Sequence, residues 1–301
     1  METMRDVVAQ EANELRYSRK HIDTKIEREI LDNPDMIDKI IHGLELIEEY
    51  RNKTYYESKN TRIAQLSNLD MHALILNIFV GIAYCQVEEL FTSVTSKLAG
   101  RLKFSDKTEA ITTVAELIAV LCQTDAFDIA KSNKMSSLMV ISCIPLSKEL
   151  IEFIINSQYL PPMVCVPRTL TNNFTSGYLT HNDSVILGNG NQHDGDLCLD
   201  VLNTMNSVAL KLNTAFLCSL EETPTFAIDT AEKAHQWAAF KRQSYTFYSL
   251  IAQAGNRFFL THKVDKRGRI YASGYHISTQ GTSFKKAMIE LHHEEHLEGM
   301  P

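Results

Sequence analysis

No two cysteines in this sequence are spaced as CxxC. The six present (Cys85, Cys122, Cys143, Cys165, Cys198, Cys218) are scattered, a pattern that fits neither a zinc site nor a disulfide framework. Unpaired thiols in a reducing cytoplasm are the simple reading. No signal-peptide pattern opens the chain, since Met1 to Arg16 is polar and acidic. The longest apolar run, Ala73 to Tyr84, is interrupted by Asn77 and falls far short of the ~20 residues that span a bilayer. These absences lead to the expectation of a cytoplasmic protein with no membrane role. There is also no excess of positive charge: the formal net charge is −7. Any contact with a polyanion therefore has to use a local basic surface rather than the whole body. Internal repeats and low-complexity segments are missing as well.

What is present is a globular composition, 44% apolar and 22% charged, in 301 residues, enough for one large domain or two ordinary ones. The first third carries helical periodicity. Ile22, Ile26 and Ile30 recur every fourth residue, and a second helix starts at Asn33-Pro34 with Ile37, Ile40, Ile41, Leu44 and Ile47 assigned to one face. Helical patterns follow over Met71–Leu98 and Thr108–Gln123. Phe127–Ile144 reads as a β-hairpin around a basic turn, and Ser147–Ser157 as a short apolar helix. Tyr159 to Gly195 is loop-rich, Asp196 to Phe216 reads as a helix, and Thr230–Gly255 as another closed by Gly255-Asn256. Phe258 to Tyr275 alternates as a strand or hairpin around Arg267-Gly268-Arg269.

The stretch richest in chemistry is Lys263-Val264-Asp265-Lys266-Arg267-Gly268-Arg269-Ile270-Tyr271-Ala272, which places four cations around one glycine in an acidic chain. Glycine lets the backbone turn tightly and approach a partner closely. Arginines beside it can hold phosphates bidentately, with Asp265 available to orient one of them. Lys285 and Lys286 extend the basic character. From composition alone, a solvated basic turn is the competing reading.

This block, followed by Gln280-Gly281 and Lys285-Lys286-Ala287, resembles the DxxGR region of single-subunit DNA-directed RNA polymerases of bacteriophages and mitochondria. The resemblance continues upstream in order. Leu160-Pro161-Pro162-Met163-Val164, Pro167 and Gly177-Tyr178-Leu179 are similar to the PP…W…GGYW segment. Leu202-Asn203, Asn206 and Ala209–Asn213 resemble the helix LNxxQxxxWxIN, with Asn206 and Leu210 standing where the family has Gln and Trp. The similarity covers roughly 157–290. It implies that the DxxGR loop lies beside an active site, where Asp265, Lys266, Arg267, Gly268, Arg269 and Tyr271 contact the template strand and RNA–DNA hybrid. Arg168, next to Pro167, is carried as a further nucleic-acid contact. Phe127–Ile144 sits where the family has its intercalating hairpin, which assigns Lys131 and Lys134 to phosphates of upstream DNA and lets Met135 stack on a base. An ordinary surface hairpin is the alternative there.

The family's palm motifs with metal-binding aspartates, and its fingers helix, lie beyond these blocks, and no catalytic carboxylate pair is recognisable. The resemblance thus implies the smaller subunit of a split, heterodimeric phage polymerase, inactive alone. A second subunit carrying palm and fingers would complete it. No cofactor is expected on this chain, with Mg at the partner's aspartates. Template DNA and RNA product are the other partners, and an activator or single-strand-binding protein is a further one to allow for. The fold expected is mainly α with small β elements: a helical domain over 1–156 including the hairpin 127–144, a connecting region and reduced thumb over 157–256, and the DxxGR loop with the start of a palm, completed by the partner, over 257–301. Two rivals stand beside this reading: a stand-alone nucleic-acid-binding regulator, and a helical scaffold with an incidental basic turn.

Several patterns are set aside. His292, His293 and His296 with Glu294 and Glu295 lack the HExxH spacing because Leu297 stands at the second histidine position. Asp194, Asp196 and Asp200 are read as helix-opening acids. Gly188-Asn189-Gly190-Asn191 is a turn, and Trp237 with its aromatic neighbours is assigned to core rather than to a base-stacking platform.

Overall fold

The computed structural model describes residues 4–132, 137–188 and 192–293. In chain order come helices α1 (Met4–Arg16), α2 (Arg19–Leu31), α3 (Pro34–Asn52), α4 (Glu57–Ala64) and α5 (Met71–Ala83). Strand β1 (Glu89–Leu90) leads into α6 (Phe91–Leu98), α7 (Lys107–Leu121), β2 (Phe127–Lys131), β3 (Leu138–Ser142) and α8 (Lys148–Asn156). Then follow α9 (Leu199–Asn206), β4 (Leu210–Leu212), α10 (Thr214–Ser219) and α11 (Ala231–Gln253). Strands β5 (His262–Val264) and β6 (Ile270–Ala272), α12 (Ser283–Ala287) and β7 (Ile289–Leu291) complete the described elements. The fold is mainly α with small antiparallel sheets, ordered β1-β3-β2, β4-β7 and β5-β6.

Two compact units result, Arg19–Ile155 and a second that joins the first 18 residues to those from Asn156 onward. The sequence alone groups α1 with the helical first domain and separates 157–256 from 257–301. The structure instead gathers α1 and both later segments into one unit. The reason is that α1 buries a polar face, Gln10 and Glu14, while Val8 and Leu15 stay 58% exposed. Its apolar periodicity therefore carries no information about its packing.

In the Arg19–Ile155 unit, α5 is apolar on nearly every side, and from Leu74 to Ala83 only Asn77 escapes burial. A helix of that kind has to be enclosed, and α2, α3, α6 and β3 pack around it. Ile22, Ile26 and Ile30 point into this core as their spacing predicts. Asn33 caps α3 by accepting from the Asp35 amide at 3.0 Å, with Pro34 in the first turn.

Other expectations need correction. The buried face of α3 is Met36, Ile40, Gly43, Ile47 and Tyr50, whereas Ile37 and Ile41 are exposed. A Cβ on Gly43 would lie 2.9 Å from Leu121 Cδ2, so the glycine is where α7 crosses closely, and that crossing turns Ile37 and Ile41 outward. Met71–Leu98 is not one helix either. It breaks between Ala83 and Phe91, where β1 pairs with Met139 and Val140 of β3.

In the second unit, Asp196–Phe216 is also interrupted. Helix α9 runs only from Leu199 to Asn206, and Leu210–Leu212 form β4 against β7. Asp194 and Asp196 therefore lie ahead of the helix, and only Asp200 sits in its first turn. The segment after Ile270, expected to complete a sheet with another subunit, supplies β7 to a sheet within this chain. Thr230 caps α11 through the Lys233 amide, and Gly255 (φ +90°) with Asn256 closes it.

Candidate nucleic-acid interface

The hairpin β5–β6 pairs His262 with Ala272, Lys263 with Tyr271 and Val264 with Ile270. Its turn is built by Asp265. The Asp265 carboxylate accepts from the amides of Arg267 (2.9 Å) and Arg269 (3.0 Å), and the Asp265 carbonyl accepts from Gly268 N at 3.0 Å. Gly268 has φ +77°, a left-handed conformation that glycine adopts without steric cost. Arg269 then folds back, with Nε 2.7 Å and Nη2 2.5 Å from Asp265 Oδ2. The Tyr271 hydroxyl donates to the same oxygen at 3.4 Å, and the Arg269 guanidinium stands 5.6 Å from the Tyr271 ring centre. Hydrogen bonding by the Arg269 side chain, reinforced by both amides, holds the Asp265 carboxyl down to about 2. The turn is thus a carboxylate-centred clamp that projects Lys266, Arg267 and Arg269 into solvent.

Two further segments brace it. Val185 and Leu187 bond to Val264, with Val264 N to Val185 O and Leu187 N to Val264 O both at 2.8 Å. On the other edge the Gln280 side chain reproduces a strand partner, accepting from Ala272 N and donating to Ile270 O, each at 2.9 Å. Lys263 is engaged by Asp183.

The sequence-chosen residues therefore separate into groups. Asp265, Lys266, Arg267, Gly268, Arg269 and Tyr271 form one hairpin. Arg168 is exposed, but its guanidinium holds a loop, donating to Tyr178 O at 2.6 Å and Asn182 Oδ1 at 3.2 Å. Lys131, exposed at the end of β2, belongs to the Arg19–Ile155 unit. Lys134 and Met135 lie outside the described residues, as do His296, Glu294 and Glu295. Among the described residues no group of three His, Cys, Asp or Glu side chains could hold a metal ion, and no single helix is long and apolar enough to cross a membrane.

Scaffold roles were missed where the sequence offers asparagines. Asn203 bonds both backbone groups of Leu170 (2.7 and 3.0 Å), Asn206 Oδ1 meets buried His262 Nδ1 at 2.9 Å, and Asn213 caps α10. Buried Glu14 was missed as well. Its carboxylate accepts from Leu179 N (2.8 Å), Thr180 N and Thr180 Oγ1 (both 2.6 Å) and Gln10 Nε2 (2.9 Å). Burial opposes its charge, but bonds from Thr180, Gln10 and the two amides outweigh that and set the carboxyl below its usual range. A groove of ≈ 1000 Å³ between α1 and α11 adds a second cationic surface, lined by Arg16, Lys241 and Arg242 with Tyr17 and Tyr245. The adjacent Lys241-Arg242 pair is the only sequence signal for it. Trp237 is half-buried at the surface rather than in a core, stacked on Phe240 with centroids 5.2 Å apart.

No protein-family model matches the chain. Over 152 residues, 48% of its length, it is 25% identical to a probable DNA-directed RNA polymerase of Gelasinospora sp. (strain G114). The matched region spans 18% of that protein. The similarity relates the chain to DNA-directed RNA polymerases.

Proposed function

We propose that this chain is the non-catalytic subunit of a split DNA-directed RNA polymerase of the single-subunit class, phage-type and cytoplasmic. It holds template strand, RNA–DNA hybrid and upstream DNA. A partner subunit with palm and fingers supplies the aspartates that bind Mg and carry nucleotidyl transfer. The observation that carries this reading is the Asp265 clamp, which fixes the Arg269 guanidinium on a short turn where Lys266, Arg267 and Arg269 all face solvent, in a chain of net charge −7. Phosphate backbones are held by such fixed, charge-assisted donors. The similarity to a probable DNA-directed RNA polymerase of Gelasinospora supports a polymerase-related role, and the motif blocks around Pro161, Leu202 and Asp265 resemble those that precede the palm in that class.

The test is reconstitution. The chain alone should incorporate no ribonucleotide, and mixing with the palm-bearing protein should yield Mg-dependent RNA synthesis on a primed template. Synthesis by the rigorously purified single chain would overturn the split-enzyme reading.

A further inference from the structure

Six residues beyond the hairpin arginine, Tyr275 opens a run of aromatic contacts. Tyr275 stacks on Tyr159 at 4.0 Å and 8°, Phe240 meets Tyr275 edge-on at 5.7 Å, and Trp237 stacks on Phe240. Phe226 meets Trp237 edge-on at 6.1 Å. Three of these rings are far more exposed than packing requires: Tyr159 42%, Tyr275 45% and Phe226 48%. Phe226, Trp237, Phe240 and Tyr275 wall a cavity of ≈ 280 Å³ whose remaining lining is polar, chiefly Glu222, Gln236 and Lys285. The Lys285 ammonium spends one of its three donors on Tyr275 O at 2.6 Å and lies 5.0 and 5.2 Å from the Phe240 and Tyr275 ring centres. Glu222 accepts from Thr282 Oγ1 at 3.3 Å, which leaves acceptor capacity on the carboxylate.

Aromatic walls, one cation and one acceptor in a space of this size match a single flat heterocycle with a phosphate attached. We propose that the pocket seats one unstacked nucleobase of a single strand, with Lys285 toward its phosphate and Glu222 accepting from an exocyclic amino group. Stacking on aromatic side chains is tolerant of sequence, whereas a carboxylate acceptor selects bases that present an amino group there. Cytosine and adenine are therefore preferred over thymine and uracil. This inference rests on the nucleic-acid reading above and adds a position and a preference to it.

Trp237 is the sole tryptophan of the chain, so its fluorescence reports on this pocket alone. The experiment titrates the full chain with fluorescein-labelled oligo(dC), oligo(dT), oligo(rC) and oligo(rU), and separately with CMP, following label anisotropy and tryptophan emission in parallel. Oligo(dC) and oligo(rC) should quench Trp237 and bind at least fivefold tighter than their thymine or uracil counterparts. Glu222→Gln should erase that preference, and Phe226→Ala should weaken binding about tenfold, with unchanged circular dichroism showing that both variants fold. Equal quenching by CMP at matched concentration would overturn the strand in favour of a free-nucleotide site. Anisotropy binding with silent Trp237 emission would overturn the pocket and leave the polymerase reading standing. No binding by either signal would overturn both.

Discussion

Arg269 lies against Asp265, with two of its guanidinium nitrogens 2.7 and 2.5 Å from one carboxylate oxygen that also accepts from the Tyr271 hydroxyl. The cation is thereby fixed in direction before any ligand arrives. A planar fork held on one side can present its remaining edge to a phosphate without first losing rotamer freedom. In the proposed heterodimer, Arg269→Ala should reduce RNA synthesis at least tenfold while subunit association is kept. Arg269→Lys should recover only part of the loss, because a point charge cannot span Asp265 and a phosphate together. Primed-template elongation with a parallel pull-down measures both. Near-normal elongation by the alanine variant at moderate salt would remove this hairpin from the active centre.

Glu14 makes a second prediction, on stability. Removing its carboxylate strands two backbone amides and a hydroxyl in a buried position, so Glu14→Ala should cost about 2–4 kcal/mol in urea unfolding. Because its pKa is depressed, the contribution is present at neutral pH and lost as pH falls through the lowered value. Glu14→Gln, which keeps an acceptor but no charge, should fall between wild type and alanine. An alanine variant as stable as wild type would show that α1 is not pinned at Leu179 and Thr180.

Two buried histidines add to the acid response. Burial pushes His262 below its ordinary value and His276 down to about 4, the nearby Lys285 charge adding to the latter. A depressed histidine is protonated in the unfolded chain while the folded one remains neutral. Stability is therefore complete above the ordinary histidine value of 6.5 and declines as pH drops toward about 4. Unfolding near pH 5 should take up about one to two protons. Urea midpoints at pH 7.5, 6 and 5 should fall in that order, and His276→Gln should flatten the trend. Identical midpoints across the series would contradict the burial of both rings.

Gly274 is required by contact rather than by a left-handed backbone. A Cβ there would lie 1.9 Å from the Ile277 carbonyl oxygen. Gly274→Ala must displace backbone next to β6, and a loss of about 3 kcal/mol or more is expected. Gly268→Ala, strained only by its positive φ and open to solvent, should cost about 1 kcal/mol. Thermal melts that rank the two in the opposite order would place the tight contact elsewhere.

Features set by neighbours in sequence were legible before the structure. The Ile22–Ile26–Ile30 stripe, the Asn33-Pro34 start, the hairpin of β2 and β3, and the turn at Gly268 all depend on residues a few positions apart. Where partners are distant, local pattern misleads. Ala209 to Leu212 is apolar enough to continue α9, yet Leu210 pairs with Leu291 and Leu212 with Ile289. The Gln280 side chain that substitutes for a strand beside β6 also leaves no periodic trace. In the site, charge clustering revealed the hairpin, but the groove between α1 and α11 needs two helices brought together from far apart in sequence.

The polar face of α1 has a consequence for vectorial synthesis. Gln10 bonds Val164 and Glu14 bonds Leu179 and Thr180, separations of 154, 165 and 166 residues. At ribosomal rates of about 5–20 residues per second, α1 waits roughly 10–30 s for those partners to be made. The Arg19–Ile155 unit, whose core is drawn wholly from its own residues, can close first. During that interval Gln10 and Glu14 of a nascent chain lack the amides that later satisfy them. Docking of α1 is therefore a late step of synthesis, open only once Thr180 has cleared the exit tunnel.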